Sequence, residues 1–130
     1  MFSHLTLGTH DLARAKTFYD AVLATIGVEP RFHEPEQGWL GYQTPGSGRP
    51  LLVLMTPFDG TPATVGNGTM TAFLASTRAQ VDAFHAAALS EGGRDEGRPG
   101  LRPRYHPYYY GAYVRDPDGH KLACACHSPS

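Results

Sequence analysis

The sequence predicts an α+β fold in which one β-α-β-β-β unit occurs twice, and three observations support this prediction. Strand-like and helix-like segments follow one another in the same order in both halves of the 130-residue chain. Phe18 and Phe84 occupy matching places in the two predicted helices, and Gly27 and Gly93 occupy matching places after them. A repeat near half the chain length indicates two copies of one unit that share a core. We expect one domain over 1–130, with module one at about 1–58 and module two at about 66–128.

The first half begins with a strand-like segment, FSHLTLGT, which is rich in apolar and β-branched residues. Asp11 is the predicted N-cap of a helix that runs to Ile26, because apolar residues recur there at helical spacing. Gly27 suits the position after a helix. Three short strand-like segments follow, separated by Gly, Pro and Ser: VEPRFHE, WLGYQT and LLVLMT.

The second half repeats this order, starting with the strand-like segment TMTAFLAS. Thr77 and Gln80 have the spacing of a capping box and predict the start of a helix that Gly92 ends. A hairpin is predicted around the turn sequence DPDG, with Arg115 paired to His120 across it.

Composition excludes several classes of function. The formal net charge is −1, which gives no overall attraction to nucleic acid or to an anionic membrane. No apolar run is long enough to span a bilayer, and the first residues lack a signal-peptide pattern, so we expect a soluble cytoplasmic protein. The two cysteines, Cys124 and Cys126, alternate along a predicted strand with Leu122, which predicts that all three lie on its buried face.

Three segments together resemble the vicinal-oxygen-chelate superfamily, which includes glyoxalase I, bleomycin-resistance proteins and extradiol dioxygenases. They are SHLTLGTHDLARAKTFYDAVL, GNGTMTAFLASTRAQVDAFHAAAL and YHPYYYGAYVRDPDGHKL, and with their connections they cover almost the whole chain. The resemblance implies two βαβββ modules whose strands form an open, cup-shaped mixed sheet. It also implies a homodimer, because members of this superfamily commonly dimerise.

The metal-dependent members of that superfamily bind a divalent ion through a His on the first strand and a carboxylate or His on the last strand of each module. Residue by residue, the resemblance places these positions at His4, Leu54, Met70 and Ala123. Only His4 carries a donor suited to a hard or borderline divalent ion. We therefore expect no cofactor; a divalent metal at His4 is the alternative. His4 on its own is a candidate metal-free base or ligand donor.

A second group of candidate residues lies in the aromatic run RYHPYYYGAY. The expected pairing puts Tyr110 on the cup side and turns Tyr109 and Tyr113 away from it. His106 and Tyr110 are the candidates to bind a planar or oxygen-rich small molecule there. Arg104 beside this run is a candidate ligand-binding residue, whereas the other arginines of GGRDEGRPGLRPRY suit a solvated connector.

These residues leave three functions open, all with a small-molecule ligand and without nucleic-acid or membrane partners. The preferred one is a protein of this superfamily that binds or converts a ligand in the cup without the family metal. The second is a metal-dependent enzyme of the lactoylglutathione-lyase or dioxygenase type, with ligands substituted from elsewhere, such as His106 or His127. The third is a drug-sequestering resistance protein without catalysis.

Overall fold

The computed structural model describes residues 1–130 and contains two modules with the same order of elements. The first module comprises β1 (His4–Gly8), α1 (Leu12–Ala24), β2 (Glu29–Glu34), β3 (Trp39–Gln43) and β4 (Leu51–Met55). The second module comprises β5 (Thr71–Leu74), α2 (Arg78–Ser90), β6 (Arg94–Leu101), β7 (Tyr110–Arg115) and β8 (Lys121–Cys126). The predicted α+β class and the β-α-β-β-β order are confirmed. None of the helices has both the length and the apolar character needed to cross a membrane.

Each module builds one four-stranded mixed sheet, and the two sheets have equivalent strand orders, β1-β4-β3-β2 and β5-β8-β7-β6. The first strand of each module runs parallel to the last, and the other pairs are antiparallel. Strands β1 and β5 therefore each lie at an edge of their sheet. The face of a sheet that is turned away from the helices is called its outer face below, and it corresponds to the cup side of the prediction.

The helix ends follow the sequence signals closely. The side chain of Asp11 accepts a hydrogen bond from the Arg14 backbone N–H at 3.0 Å, as expected of an N-cap. Thr77 and Gln80 form the predicted capping box at the start of α2. Helix α1 ends at Ala24, two residues earlier than predicted, because the N–H groups of Thr25 and Ile26 bond three residues back and tighten the last turn.

The two modules share one core, which lies between the sheets and the helices. Helices α1 and α2 pack against each other, and each covers the inner face of its own sheet. Phe18 of α1 and Phe84 of α2 are both fully buried in the same cluster as Leu54 of β4 and Leu122 of β8. A shared core is what a twofold repeat of incomplete units requires, since one sheet and one helix alone would leave an apolar face exposed.

A buried polar network in the β7–β8 turn connects this core to α1. The carboxylate of Asp116, 3% exposed, accepts hydrogen bonds from the Tyr19 hydroxyl and from the backbone N–H groups of Asp118 and His120. Burial raises the pKa of Asp116, although the hydrogen bonds from Tyr19 and His120 act in the opposite direction. Burial beside Asp116 also raises the pKa of Tyr19.

The same turn also holds the two modules together at the end of β1. The Nε2 of His120 lies 2.7 Å from the carbonyl oxygen of Gly8, to which it donates. Arg14 of α1 forms an ion pair with Asp118 at 2.9 Å. The turn thus contacts the first module through both α1 and β1.

The predicted register of the β7–β8 hairpin is wrong by one residue. Arg115 pairs with Lys121, not with His120. The reason is that His120 belongs to the turn: its carbonyl accepts from the Asp116 N–H at 2.9 Å, and its own N–H donates to the Asp116 carboxylate. The turn is therefore one residue longer than the DPDG sequence indicates.

This shift exchanges the faces of β7 relative to the prediction. Tyr113 pairs with Ala123 on the outer face, whereas Ala112 pairs with Cys124 on the inner face. Tyr110 shares the inner side with Ala112 and packs at the edge of the core. The predictions that Tyr110 faces the cup and that Tyr113 faces away from it are both wrong. The prediction that Cys124 and Cys126 lie buried with Leu122 is confirmed.

The expected outward orientation of Leu54 is also wrong. Leu54 is 0% exposed, pairs with Leu7 and Leu40, and lies in the core with both of them. Its neighbours Val53 and Met55 occupy the outer face instead. Because β4 is apolar along its whole length, its sequence contains no alternation that would distinguish its two faces.

The arginine-rich segment is a strand, not the solvated connector that its composition predicts. Arg94–Leu101 forms β6, which pairs with β7 at the edge of the second sheet. Two register shifts interrupt this pairing, one between Asp95 and Gly97 and one between Gly97 and Gly100. Bulges and an edge position tolerate Gly and Pro, and they also hide the alternation by which a strand is recognised.

Candidate ligand-binding site

A pocket of about 670 Å³ lies on the outer face of the second sheet, and we call it the second-sheet pocket. Its walls come from β6, from β7 and β8, and from the segment 102–109 that connects β6 to β7. Gly97 makes room for one wall, since a Cβ at this position would lie 2.9 Å from the Tyr113 ring. The pocket therefore depends on the absence of a side chain where β6 crosses Tyr113.

Positive charge dominates the second-sheet pocket. Arg102, Arg104 and Lys121 line it, and Glu96 is the one acidic lining residue. The Nε of Arg115 donates to the Glu96 carboxylate at 2.9 Å, and this hydrogen bond lowers the pKa of Glu96. Because Glu96 is already paired with a cation outside the lining, the three cations have no acidic partner within it.

Two of these cations lie over the face of one tyrosine. The Arg102 guanidinium carbon is 5.5 Å and the Lys121 Nζ is 5.6 Å from the centroid of the Tyr113 ring. Arg102 also donates to the carbonyl oxygens of Arg98 and Gly100 at 2.7 and 2.8 Å. These bonds hold the Arg102 side chain against β6, so its position does not depend on a ligand.

Three tyrosines form a connected aromatic wall. Tyr105 meets Tyr109 edge-on with centroids 4.9 Å apart, and the hydroxyls of Tyr109 and Tyr113 are 3.0 Å apart. Burial and the bond to Tyr109 raise the pKa of Tyr113. The exposed Tyr105 behaves in the opposite way, since its hydrogen bond with Arg104 and the charge of that guanidinium lower its pKa.

Two histidines complete the wall. The Nε2 of His106 and the Nδ1 of His127 are 2.8 Å apart, and the planes of the two rings differ by 24° with centroids 5.0 Å apart. Tyr109 meets both rings edge-on, at centroid distances of 5.7 Å to His106 and 5.3 Å to His127. The backbone N–H of Tyr108 donates to the Nδ1 of His106 at 3.2 Å. Both imidazoles are thus held in place by protein groups.

The structure brings together three of the seven predicted site residues. Arg104, His106 and Met70 all line the second-sheet pocket. Ala123 lies on the outer face of β8 but is fully buried, and His4 lies on the outer face of the other sheet, where its Nδ1 is 2.9 Å from the Ser3 hydroxyl.

The other two predicted residues lie outside any pocket of this kind. Leu54 belongs to the core, and Tyr110 donates from its hydroxyl to Asp82 of α2 at 2.6 Å, with Arg78 over its ring. The hydrogen bond to Asp82 raises the pKa of Tyr110. A ligand on the outer face does not meet Tyr110.

Sequence reasoning did not select the other eight residues that line the pocket: Glu96, Gly97, Arg102, Tyr105, Tyr109, Tyr113, Lys121 and His127. Of these, His127 is predicted from the sequence only as a substitute metal ligand, and the prediction that Tyr109 turns away from the binding face is wrong. Lys121 and His127 fall on the outer side of β8 by simple alternation, a signal present in the sequence. For Tyr113 the missing information was the length of the turn, because a one-residue shift in register reverses its face.

The residues present do not fit the divalent metal that the superfamily resemblance implies. The outer-face side chains of β4 include Val53 and Met55, and those of β8 include Ala123 and Ala125, so neither last strand offers a carboxylate or an imidazole there. No group of three or more His, Cys, Asp or Glu side chains lies close enough together to hold a metal ion. Val53 and Met55, which occupy the outer face in place of Leu54, are as unable as Leu54 to bind a hard or borderline divalent ion.

Comparisons with known proteins agree with the fold. The family model described as Glyoxalase/Bleomycin resistance protein/Dioxygenase superfamily matches residues 1–124. A solved glyoxalase/bleomycin resistance protein from Albidiferax ferrireducens T118 is 38% identical with a TM-score of 0.85, and the match covers 98% of this chain and 99% of that chain.

Two further solved structures show similarity at the level of the fold alone. A glyoxalase-related enzyme from Fulvimarina pelagi is 23% identical, with a TM-score of 0.73 and coverage of 97% of this chain and 87% of that chain. A lactoylglutathione lyase from Agrobacterium tumefaciens is 23% identical, with a TM-score of 0.66 and coverage of 97% and 92%. No curated protein matches the sequence.

Proposed function

The chain belongs to the glyoxalase/bleomycin resistance protein/dioxygenase superfamily, and from this premise we propose that it binds a small, planar, anionic molecule in the second-sheet pocket, without the superfamily's metal ion. One observation carries the proposal: three cations and a tyrosine wall line the same pocket, and its one acid is already paired. A planar ligand would stack on the tyrosines and a carboxylate would meet the cations.

Three probes of one shape and different charge test this function: benzoate, benzamide and benzamidine. Each carries one planar ring and one small planar group, so shape is nearly constant while the charge runs from negative through neutral to positive. We expect benzoate to bind most tightly and benzamidine least tightly, as measured by isothermal titration and by chemical-shift changes at His106 and Tyr109. Equal or tighter binding of benzamidine would contradict an anionic ligand and favour a pocket for cationic drugs.

Arg104→Ala is the variant that tests the role of charge most directly. The guanidinium is fully exposed beside Tyr105, so its loss should leave the fold intact. We expect benzoate affinity to fall about two- to fivefold, the range typical of an exposed ion pair, while benzamide affinity stays the same. Arg31→Ala is the matched control, because Arg31 is exposed on β2 in the other module and should not affect either probe. Equal losses for benzoate and benzamide would show that Arg104 acts by contact area alone.

We also propose that the protein is a homodimer. The edge strands β1 and β5 present unpaired backbone groups, and an apolar groove of about 390 Å³ runs between them, lined by Leu5, Leu52, Phe73 and Leu74 among others. Leu74 at this groove is 73% exposed. Edge strands with exposed apolar side chains favour pairing with another chain, and a second copy of this chain offers the same two edges.

Leu74→Glu tests the dimer without disturbing the monomer, because the side chain is largely exposed. We expect the wild-type protein to sediment as a dimer in analytical ultracentrifugation and the variant to sediment as a monomer, since a buried carboxylate would oppose the contact. Leu89→Glu on α2, at 41% exposure, is the control and should remain dimeric. A monomeric wild-type protein would refute the proposal.

A further inference from the structure

We propose that His106 and His127 form an oriented pair of neutral imidazoles whose outer group, the Nε2–H of His127, donates a hydrogen bond to an oxygen of the bound anion. This inference rests on the proposed function, because it assigns a specific donor within the second-sheet pocket. It makes His127 a ligand-binding residue and His106 a positioning residue.

The first step concerns the tautomer of His106. The backbone N–H of Tyr108 donates to the Nδ1 of His106 at 3.2 Å, and an amide N–H has no lone pair with which to accept. The Nδ1 of His106 therefore carries a lone pair instead of a proton. In a neutral imidazole the proton then resides on Nε2.

The second step determines the tautomer of His127 from that of His106. The Nε2–H of His106 points at the Nδ1 of His127, 2.8 Å away, so that Nδ1 must accept and cannot carry a proton. The proton of neutral His127 is then on Nε2, on the far side of its ring. No protein group accepts from this Nε2, and His127 lines the pocket. Each hydrogen bond in this series thus determines the direction of the next, from the Tyr108 backbone to the pocket.

The third step identifies the acceptor. Arg102, Arg104 and Lys121 add donors to the same pocket, and the Glu96 carboxylate is bound to Arg115. Because the lining supplies several cationic donors and its one carboxylate is already paired, an anionic ligand is the acceptor that complements it best. An anionic oxygen, such as that of a carboxylate or an enolate, satisfies the Nε2–H of His127 and the neighbouring cations together.

The same geometry argues against a metal ion held between the two rings. Such an ion would need lone pairs on both facing nitrogens, the Nε2 of His106 and the Nδ1 of His127. A lone pair on the Nε2 of neutral His106 would place its proton on Nδ1, directly opposite the Tyr108 N–H. The backbone of Tyr108 thus favours a hydrogen-bonded pair over a chelating one.

The tautomers can be measured in the free protein, independently of any ligand. Long-range ¹H–¹⁵N correlation spectra of protein labelled with ¹⁵N-histidine, recorded near neutral pH, should show the Nε2–H tautomer for both His106 and His127. His33, which is exposed on β2 and lies outside the pair, provides an internal reference. A dominant Nδ1–H tautomer at either residue of the pair would overturn the inference.

Ligand binding provides the second test, with benzoate as the probe. We expect His127→Phe to lower benzoate affinity about two- to tenfold, because it removes the donor but keeps an aromatic ring. His106→Phe should have a smaller effect on affinity and should leave His127 as a mixture of tautomers, which a purely structural role of His106 would not produce. His33→Phe is the matched control. If benzoate binds well and His127→Phe binds it equally, the inference fails while the proposed function stands.

Two further outcomes separate the possibilities. If benzoate binds wild-type protein no better than benzamide, the proposed function fails even where the tautomers are as expected. Titration with Zn²⁺ alone should produce no stoichiometric complex. A stoichiometric Zn²⁺ complex that both His106→Phe and His127→Phe abolish would show a chelating pair and overturn the inference.

Discussion

Asp116→Ala is expected to lower the free energy of unfolding by about 3 kcal/mol, because it leaves several buried donors without an acceptor. The Asp116 carboxylate accepts from the Tyr19 hydroxyl and from two backbone N–H groups of its own turn. Its loss also loosens the turn that contacts both α1 and β1 of the other module. Chemical denaturation followed by circular dichroism measures the change.

A matched control exists in another loop. Asp59 accepts from the backbone N–H and hydroxyl of Thr61, in the same local manner, but it is fully exposed. Asp59→Ala should therefore change stability little, since water replaces the lost bonds. Similar losses in the two variants would show that burial at Asp116 is not the cause.

The pH dependence of the same residue has a definite sign. Burial raises the pKa of Asp116 above its ordinary value of about 3.9, so the folded chain binds this proton more tightly than the unfolded chain. The contribution of Asp116 to stability is fully present below the unfolded pKa and is lost as pH rises through the folded pKa. The free energy of unfolding of the wild type, relative to that of Asp116→Asn, should therefore decrease as pH rises through this range. An increase in this relative free energy with rising pH would contradict a raised pKa of Asp116.

Leu54→Ala is expected to cost about 2–5 kcal/mol of stability, because Leu54 is 0% exposed within the shared core and its loss leaves a cavity. Its neighbour Val53 lies on the outer face of the same strand, and Val53→Ala should cost clearly less, as measured by the same denaturation experiment. This pair of variants tests the register of β4 directly. A larger loss for Val53→Ala would restore the outward orientation of Leu54 that the resemblance implied.

The order of elements was predictable because local signals determine it. The capping box at Thr77 and Gln80, the N-cap at Asp11 and the helical spacing of apolar residues each depend on only a few neighbouring positions. The inward position of Cys124 and Cys126 follows from alternation within one strand. Predictions of this kind require no knowledge of which strands pair.

The faces of β4 and β7 were not predictable, because non-local contacts decide them. His120 is part of the turn, and its side chain bonds to Gly8 in the other module, a contact that no turn motif in the sequence specifies. The wrong face predicted for Tyr113 followed from that single error in the length of the turn. For Leu54, a strand that is apolar on both faces offers no internal evidence of orientation.

The length of the β7–β8 turn also has an evolutionary consequence. Ala123 and Ala125 point toward the pocket side of β8, and Cys124 and Cys126 point toward the core. Deletion of one residue from the turn would slip the strand by one position and exchange these two sets. A single in-frame deletion would thus replace two buried methyl groups on the outer side of β8 with two thiols, which are soft metal ligands and targets of oxidation. The turn that contacts α1 and β1 of the first module therefore also determines which side chains of β8 lie beneath the binding face and which lie in the core.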